Sequence, residues 1–353
     1  MNTRVMIYGA YGYTGELAVR EARSFGVEPV LAGRSSDKLA TLQAGTGQGM
    51  ETRTVGLDDP SALDAALSDI GVVLHCAGPF SATSKPMVAA CLRTATQYLD
   101  ITGEMGVFER LHHKGKEAER AGVMTLPGIG FDVVPTDCMA ARLKEELPSA
   151  THLELAFGSM GGGTSRGTMK TAIENLSKGG AVRRNGSIVK VPSAYMTKNL
   201  DFGDGKERLA VSIPWGDVST AFFSTGIPNI TCFMKAAPRM VRGMKLSRFI
   251  LPLLGTAFMQ KRLVHRVNAG PPGPTDAQRA EAVTYIWGAA WDDAGRRVER
   301  RLRTAEGYTL TAHSGLFAAR KVLEGGVKPG FQTPTTAFGW RYIDEFEGSE
   351  WLD

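Results

Sequence analysis

Three glycines and two carboxylates are the residues whose type and placement bear most directly on chemistry. Gly9, Gly12 and Gly15 recur every third residue in Gly9-Ala10-Tyr11-Gly12-Tyr13-Thr14-Gly15. Such glycines let the chain turn sharply, bring bare backbone against a bound group, and let the next helix pack closely on the preceding strand. The helix start aims unpaired N–H groups and a positive dipole end at whatever lies over the turn, a position that suits a pyrophosphate. The spacing is not G-x-G-x-x-G, so the glycines alone do not decide the matter. The apolar strand Val5–Tyr8 before them and a helix from Tyr13 to Ser24 after them do. Glu104 and Asp132 each follow a strand-like run, where a carboxylate can orient a substrate or relay a proton. Their plainer roles are a loop salt bridge for Glu104 and a helix cap for Asp132.

The end of the second strand, Glu28 to Gly33, reads Gly33-Arg34-Ser35-Ser36. In dinucleotide folds this strand end meets the adenosine ribose. A carboxylate there accepts from the 2′-hydroxyl of NAD, whereas an arginine accommodates the 2′-phosphate of NADP. Arg34, with Ser35 beside it, therefore implies NADPH over NADH. Asp58-Asp59-Pro60 opens a helix through Ser68, and one of the two aspartates caps it; Asp58 could instead reach the adenine amino group. A buried-looking strand, Val72 to His75, ends in Cys76-Ala77-Gly78-Pro79, small residues that let a loop hug a ribose. His75 reads as a packed core histidine, and Cys76 as a space-filler rather than a nucleophile, with no basic partner near it in sequence.

These residues need elements to hold them. Further strands at Glu51–Leu57, Gln97–Thr102 and Val123–Leu126 alternate with helices at Val107–Ala121 and Val134–Leu147. Repeated strand–helix units predict an α/β fold with a Rossmann-type, doubly wound parallel sheet. After Pro148 the pattern changes. Leu153–Phe157 is strand-like, Thr164, Ser165 and Thr168 precede a helix to Ser177 and are candidate caps for it or substrate contacts, and Asn185-Gly186 and Gly203-Asp204-Gly205 mark turns. Ala282–Trp291 and Arg297–Thr304 form a long hairpin, and Tyr308–Glu324 begins extended and becomes helical. The expected organisation is a nucleotide-binding domain over 1–148, an inserted α+β domain with a mainly antiparallel sheet over 149–306, and a segment 307–353 returning to the first.

Composition narrows the class. The 353 residues are 43% hydrophobic and 22% charged, as in a folded globular protein. A net charge of +5 does not suggest a nucleic-acid partner. Cys76, Cys91, Cys138 and Cys232 form no C-x-x-C pair, which implies no metal and fits a reducing cytoplasm. The positive charge is concentrated in Met234–Arg266, which carries eight Lys and Arg, no Asp or Glu, and the apolar run Phe249–Met259 interrupted by Pro252. That run is too short to span a bilayer. The segment fits either amphipathic helices packed on the sheet or in a homodimer contact, or a peripheral surface that rests on anionic membrane or admits an acyl chain.

Taken together, several stretches resemble the saccharopine dehydrogenase-like oxidoreductases, including the trans-acting enoyl reductases of lipid biosynthesis. They are the Gly9–Gly15 loop, Ala32-Gly33-Arg34, Cys76–Phe80, Tyr98–Glu104, Pro127–Pro135, Ser224–Asn229, Tyr308–Thr311 and Gly330–Pro334. The resemblance implies a Rossmann domain with an inserted α/β domain. It assigns cofactor contacts to Gly9, Tyr11, Gly12, Tyr13, Thr14, Gly15, Arg34, Ser35, Ala77, Gly78 and Pro79, to which the strand ends add Gly33, Asp58 and Cys76. It identifies neither the substrate nor a catalytic residue.

Hydride transfer needs mainly that nicotinamide and an electrophilic carbon be held close and dry, so a loud catalytic signature is not required. A short-chain dehydrogenase mechanism is disfavoured, because no tyrosine has a lysine four positions later. Zinc hydrolysis is disfavoured as well, because His112-His113 lacks ligand spacing. Three readings remain: an NADPH-dependent reductase of a C=C or C=N bond on a small or lipid-like substrate, an amino-acid-type dehydrogenase, and a non-catalytic dinucleotide-binding scaffold at a membrane surface.

Overall fold

The computed structural model describes residues 2–175, 179–247, 256–325 and 328–352. Arg248 and the apolar residues Phe249–Leu254, singled out in the basic segment, lie outside them. The chain divides into two compact units, Met1–Val134 with Tyr308–Ala337, and Pro135–Gly307 with Phe338–Asp353.

The first unit is built on strands β1 (Arg4–Tyr8), β2 (Val30–Gly33), β3 (Thr52–Thr54), β4 (Ile70–His75), β5 (Gln97–Asp100) and β6 (Met124–Leu126). β1, β2 and β4 are near-continuous apolar runs, as strands covered on both faces must be. Their order is β3-β2-β1-β4-β5-β6, all parallel, with Gly330–Phe331 added beside β6 as a seventh strand. This is the doubly wound order, and the direction of winding reverses between β1 and β4. The sheet's core gathers Met6, Val30, Val73, Met87, Tyr98 and Leu111.

Several elements depart from expectation. Phe80–Thr94 is a helix that the sequence hides, because Pro79, Pro86 and a Ser/Thr-rich first turn all read as non-helical. The hydroxyls are absorbed locally: Thr83 donates to the Ala77 carbonyl at 2.7 Å and Ser84 to that of Phe80 at 2.5 Å. The expected helix Val107–Ala121 is two, Met105–His113 and Gly115–Arg120, with Gly115 facing Phe331 so closely that a Cβ would lie 3.3 Å from it. Tyr308–Glu324 is helical from Gly307 onward. Its buried Leu310, Leu316 and Phe317 face the core, so tertiary packing overrides the β-branched start.

The second unit holds a mixed sheet. Its strands are β7 (His152–Met160), β8 (Gly180–Arg184), β9 (Ser187–Val191), β10 (Thr197–Asp201), β11 (Glu207–Ile213), β12 (Asn229–Lys235), β13 (Val283–Trp291) and β14 (Arg297–Ala305). The order is β10-β11-β12-β7-β13-β14, then Glu350–Trp351, with β8 and β9 attached through β12. Only β7 and β12 pair in parallel among the described strands, so the antiparallel expectation holds for the rest. The β8–β9 turn is Asn185-Gly186, both at positive φ. Phe202, Phe233 and Trp287 anchor the core.

The divisions therefore fall at 134, 307 and 337 rather than at 148 and 306. Two packing facts explain the shift. The helix Val134–Glu146 lies so close to β13 that a Cβ on Gly288 would stand 2.4 Å from Met139. The last residues also belong to this unit: Trp351 pairs with Leu302, and the Arg142 guanidinium lies 4.2 Å from the Trp351 ring centroid and 5.5 Å from that of Trp340.

Candidate functional site

The first unit's winding reversal sets Tyr8 level with both Ala32 and His75, so the loops after β1, β2 and β4 meet at one sheet edge. The Gly9 amide donates to the Ala32 carbonyl at 2.8 Å and the Cys76 amide to that of Tyr8 at 2.8 Å. Gly9 has φ +82°, and a Cβ there would lie 2.8 Å from Ala77 Cβ and 2.9 Å from its backbone nitrogen. A Cβ on Gly15 would come within 2.3 Å of the Gly9 carbonyl oxygen, so this glycine lets the helix Tyr13–Glu21 seat against the loop. Gly12 is that helix's N-cap and no side chain caps it. Tyr11, Gly12, Tyr13 and Thr14 are half-buried at the loop's outer side.

The β2 end is tied to the same loop. Tyr11 lays its ring on Gly33, where a Cβ would stand 2.6 Å from the ring, and its hydroxyl accepts from the Arg34 amide at 3.2 Å. Arg34 is exposed, Ser35 half-buried, and among the described residues the Arg34 guanidinium has no ion-pair partner. Lys38 adds a second cation, 5.5 Å from the Tyr11 ring centroid; one helical turn after Arg34 in sequence, it was readable there but not assigned. Of the two aspartates, Asp59 does the capping, accepting from Ser61 and Ala62 amides at 3.0 Å each, which leaves Asp58 exposed.

At the β4 end, Cys76, Ala77 and Pro79 are half-buried and Gly78 is exposed; the Gly78–Pro79 peptide is cis. His75 is wholly buried among Tyr8, Phe80 and Tyr98, and burial lowers its pKa to about 3, so it is neutral. Its Nε2 lies 3.1 Å from Thr83 Oγ1, whose own proton goes to the Ala77 carbonyl. His75 thus steadies the Ala77–Pro79 loop through Thr83, a role beyond the packing assigned from sequence. Cys76 is an inert thiol, pushed up to about 12 by burial.

The two candidate carboxylates differ. Glu104 takes no salt bridge among the described residues. Its oxygens accept from the Phe80 and Ser81 amides at 2.7 and 2.9 Å and so cap the helix Phe80–Thr94 from outside. Asp132 packs against the β5 end, where a Cβ on Gly103 would lie 2.6 Å from Oδ2, and loss of water raises its carboxyl to about 7. Asp100 escaped the sequence reading. Wholly buried, it accepts from Thr102 and Gly128 amides at 2.9 Å and from the Tyr98 hydroxyl at 2.6 Å, binding the loops after β5 and β6. Burial raises it to about 6.

In the second unit, Ser165 accepts from the Thr168 amide at 3.2 Å and so caps the helix Arg166–Asn175.

Residues 5–126 match the family model described as saccharopine dehydrogenase NADP binding domain. A trans-acting enoyl reductase of Mycobacterium leprae is 38% identical over 148 residues, 39% of this chain and 35% of that protein. A saccharopine dehydrogenase-like oxidoreductase of Rattus norvegicus is 26% identical over 208 residues, 52% of this chain and 48% of that one. The chain thus spans less than half the length of these relatives. Among solved structures, apo saccharopine dehydrogenase (L-Glu forming) from Saccharomyces cerevisiae superimposes with a TM-score of 0.64 at 13% identity, covering 99% of this chain and 100% of that one. Homospermidine synthase from Legionella pneumophila gives 0.63 at 10% identity, covering 99% and 92%; both show shared fold. The glycine loop at the winding reversal lies within the residues that match the NADP-binding domain of the saccharopine dehydrogenase type, and it is this part of the chain, residues 5–126, that the family model covers.

Proposed function

We propose that this protein is an NADPH-dependent oxidoreductase that transfers hydride to a C=C or C=N bond of a small or lipid-like substrate. The observation that carries the reading is the Gly9–Gly15 loop at the β1–β4 reversal, where a Cβ on Gly9 has no room and the following helix start is left without a side-chain cap. That cradle fits a diphosphate. The exposed Arg34 guanidinium beside Ser35, without an ion-pair partner among the described residues, fits a 2′-phosphate and supports NADPH over NADH. Bound nicotinamide supplies the hydride.

The chain's own residues do the rest. Gly9, Gly12 and Gly15 keep the backbone bare where the cofactor would lie. Tyr11 fixes the Gly33–Arg34 turn, and Thr83 with His75 fixes the Ala77–Pro79 loop. Asp132, raised to about 7, populates both protonation states near neutrality and is the residue we assign to hold and give a proton. Glu104, with both oxygens engaged by amides, is assigned to positioning rather than proton transfer. The four cysteines are free thiols, three of them buried, which supports a reducing, cytoplasmic setting. No helix among the described residues is long and apolar enough to cross a membrane.

The test is NADPH consumption, followed by absorbance, against enoyl thioesters and against imines formed from an amino acid and a carbonyl compound. Turnover of enoyl thioesters is the expected result. Turnover confined to amino-acid imines would favour the amino-acid-type dehydrogenase. Tight NADPH binding with no turnover on either series would favour a scaffold at a membrane surface.

A further inference from the structure

Among its described residues the basic segment holds two helices, Pro238–Ser247 and Ala257–Ala269. The second departs from the usual logic of a surface helix. Such helices bury an apolar stripe, yet no residue from Phe258 to Ala269 is buried. Met259, Leu263, Val264 and Val267 are half-covered. An open groove of about 400 Å³ between this helix and Arg166–Asn175 is lined by Ile173, Glu174, Lys261, Val264 and His265 among others. The exposed positions 258, 261, 262 and 265 follow one helical row, in which Phe258 and Arg262 stand clear of that groove and Lys261 and His265 edge it. The row presents Phe258, 72% exposed, among Lys261, Arg262 and His265.

An isolated exposed apolar side chain is ordinary. Here, however, four of the six strongly exposed large apolar side chains among the described residues, Met169, Met240, Leu246 and Phe258, fall on these two helices and Arg166–Asn175. Pro238–Ser247 repeats the pattern, with Leu246 67% exposed beside exposed Arg242 and Lys245. The stretch 234–266 has no carboxylate to neutralise it. Cations around an outward phenylalanine complement an anionic surface that also offers hydrocarbon. Their long stems can lie along such a boundary while the heads stay hydrated.

We propose that the outward face of Ala257–Ala269 rests on an anionic lipid bilayer, with Phe258 entering the headgroup–acyl boundary and Lys261 and Arg262 meeting lipid phosphates. This holds whether or not the reductase reading does. The test is flotation of the full chain with phosphatidylcholine vesicles, and with vesicles of equal parts phosphatidylcholine and phosphatidylglycerol. The expected result is flotation with the anionic vesicles at low salt, lost at high salt and absent with phosphatidylcholine alone. Lys261→Gln with Arg262→Gln should lower partitioning roughly 25-fold, at about 1 kcal/mol per cation. Phe258→Ser should lower it about tenfold. An unchanged unfolding midpoint keeps both variants interpretable. Any of four results would overturn the proposal: no flotation at low salt, equal flotation with both compositions, full flotation of Phe258→Ser, or concentration-dependent self-association abolished by Phe258→Ser without flotation, which would give the face to a second copy.

Discussion

Removing the Arg34 guanidinium should change which nicotinamide cofactor the protein holds without changing its fold. The side chain is exposed and has no ion-pair partner among the described residues, so Arg34→Ala breaks no internal salt bridge. The bond that shapes the turn runs from the Arg34 amide to the Tyr11 hydroxyl and survives truncation of the side chain. What is lost is an attraction to a 2′-phosphate. Unit charges about 4 Å apart attract by roughly 1 kcal/mol in water and about 4 kcal/mol at partly screened sites. Exposure puts Arg34 toward the lower end, and a charge-assisted hydrogen bond contributes about 1.5–3 kcal/mol. The NADPH dissociation constant should therefore rise about 10- to 100-fold, while that for NADH, which lacks the phosphate, stays within about twofold. Calorimetric titration of parent and variant with each cofactor at low and high salt measures this, and the NADPH penalty should shrink as salt rises. Equal weakening for both cofactors would show that Arg34 shapes the site generally, and no weakening for either would remove it from the site.

Gly9→Ala should abolish binding of both cofactors and lower the urea midpoint, because a left-handed alanine costs about 1–2 kcal/mol and its Cβ meets Ala77; retained binding would refute the glycine-cradle assignment. Asp132 carries a sign that can be checked without a substrate. It holds its proton to about pH 7 in the native chain but only to about 4 when unfolded, so its contribution is complete below the lower value and is lost as pH rises to the higher one. Asp132→Asn should flatten that decline in urea unfolding, with Asp100 leaving a smaller slope of the same sign. Asp100→Ala, which strips two buried amides and the Tyr98 hydroxyl of their acceptor, should destabilise by about 2–4 kcal/mol, whereas Asp100→Asn, keeping an amide oxygen, should cost less than half as much.

Much of the nucleotide half was legible because its signals are local. A glycine every third residue, an arginine at a strand end and apolar runs four or five long each reflect constraints that act within a few residues. The helix Phe80–Thr94 was not, because its start is completed from elsewhere: Glu104, more than twenty positions on, supplies the acceptors that Pro79 cannot. Asp100 was missed for a similar reason. A carboxylate closing a strand looks solvated until Tyr98, Thr102 and Gly128 are seen converging on it. The domain limits slipped because Met139 and the Arg142–Trp351 contact, which draw the helix Val134–Glu146 and the last residues to the second unit, join positions far apart in sequence. In the basic segment, composition left packed amphipathic helices and a membrane surface both open, and could not say that no residue from Phe258 to Ala269 is fully buried.

Glu104 has a consequence for how a dinucleotide is addressed. Two helices begin beside the β1–β4 reversal, and each would offer a partial positive charge to an anion. At Phe80 and Ser81 that offer is already taken up by an internal carboxylate; at Gly12 it stays open. Of these two helix starts only the one after the glycine loop is left for an anion, which makes the pair electrically lopsided and would favour one polarity of a guest lying across them.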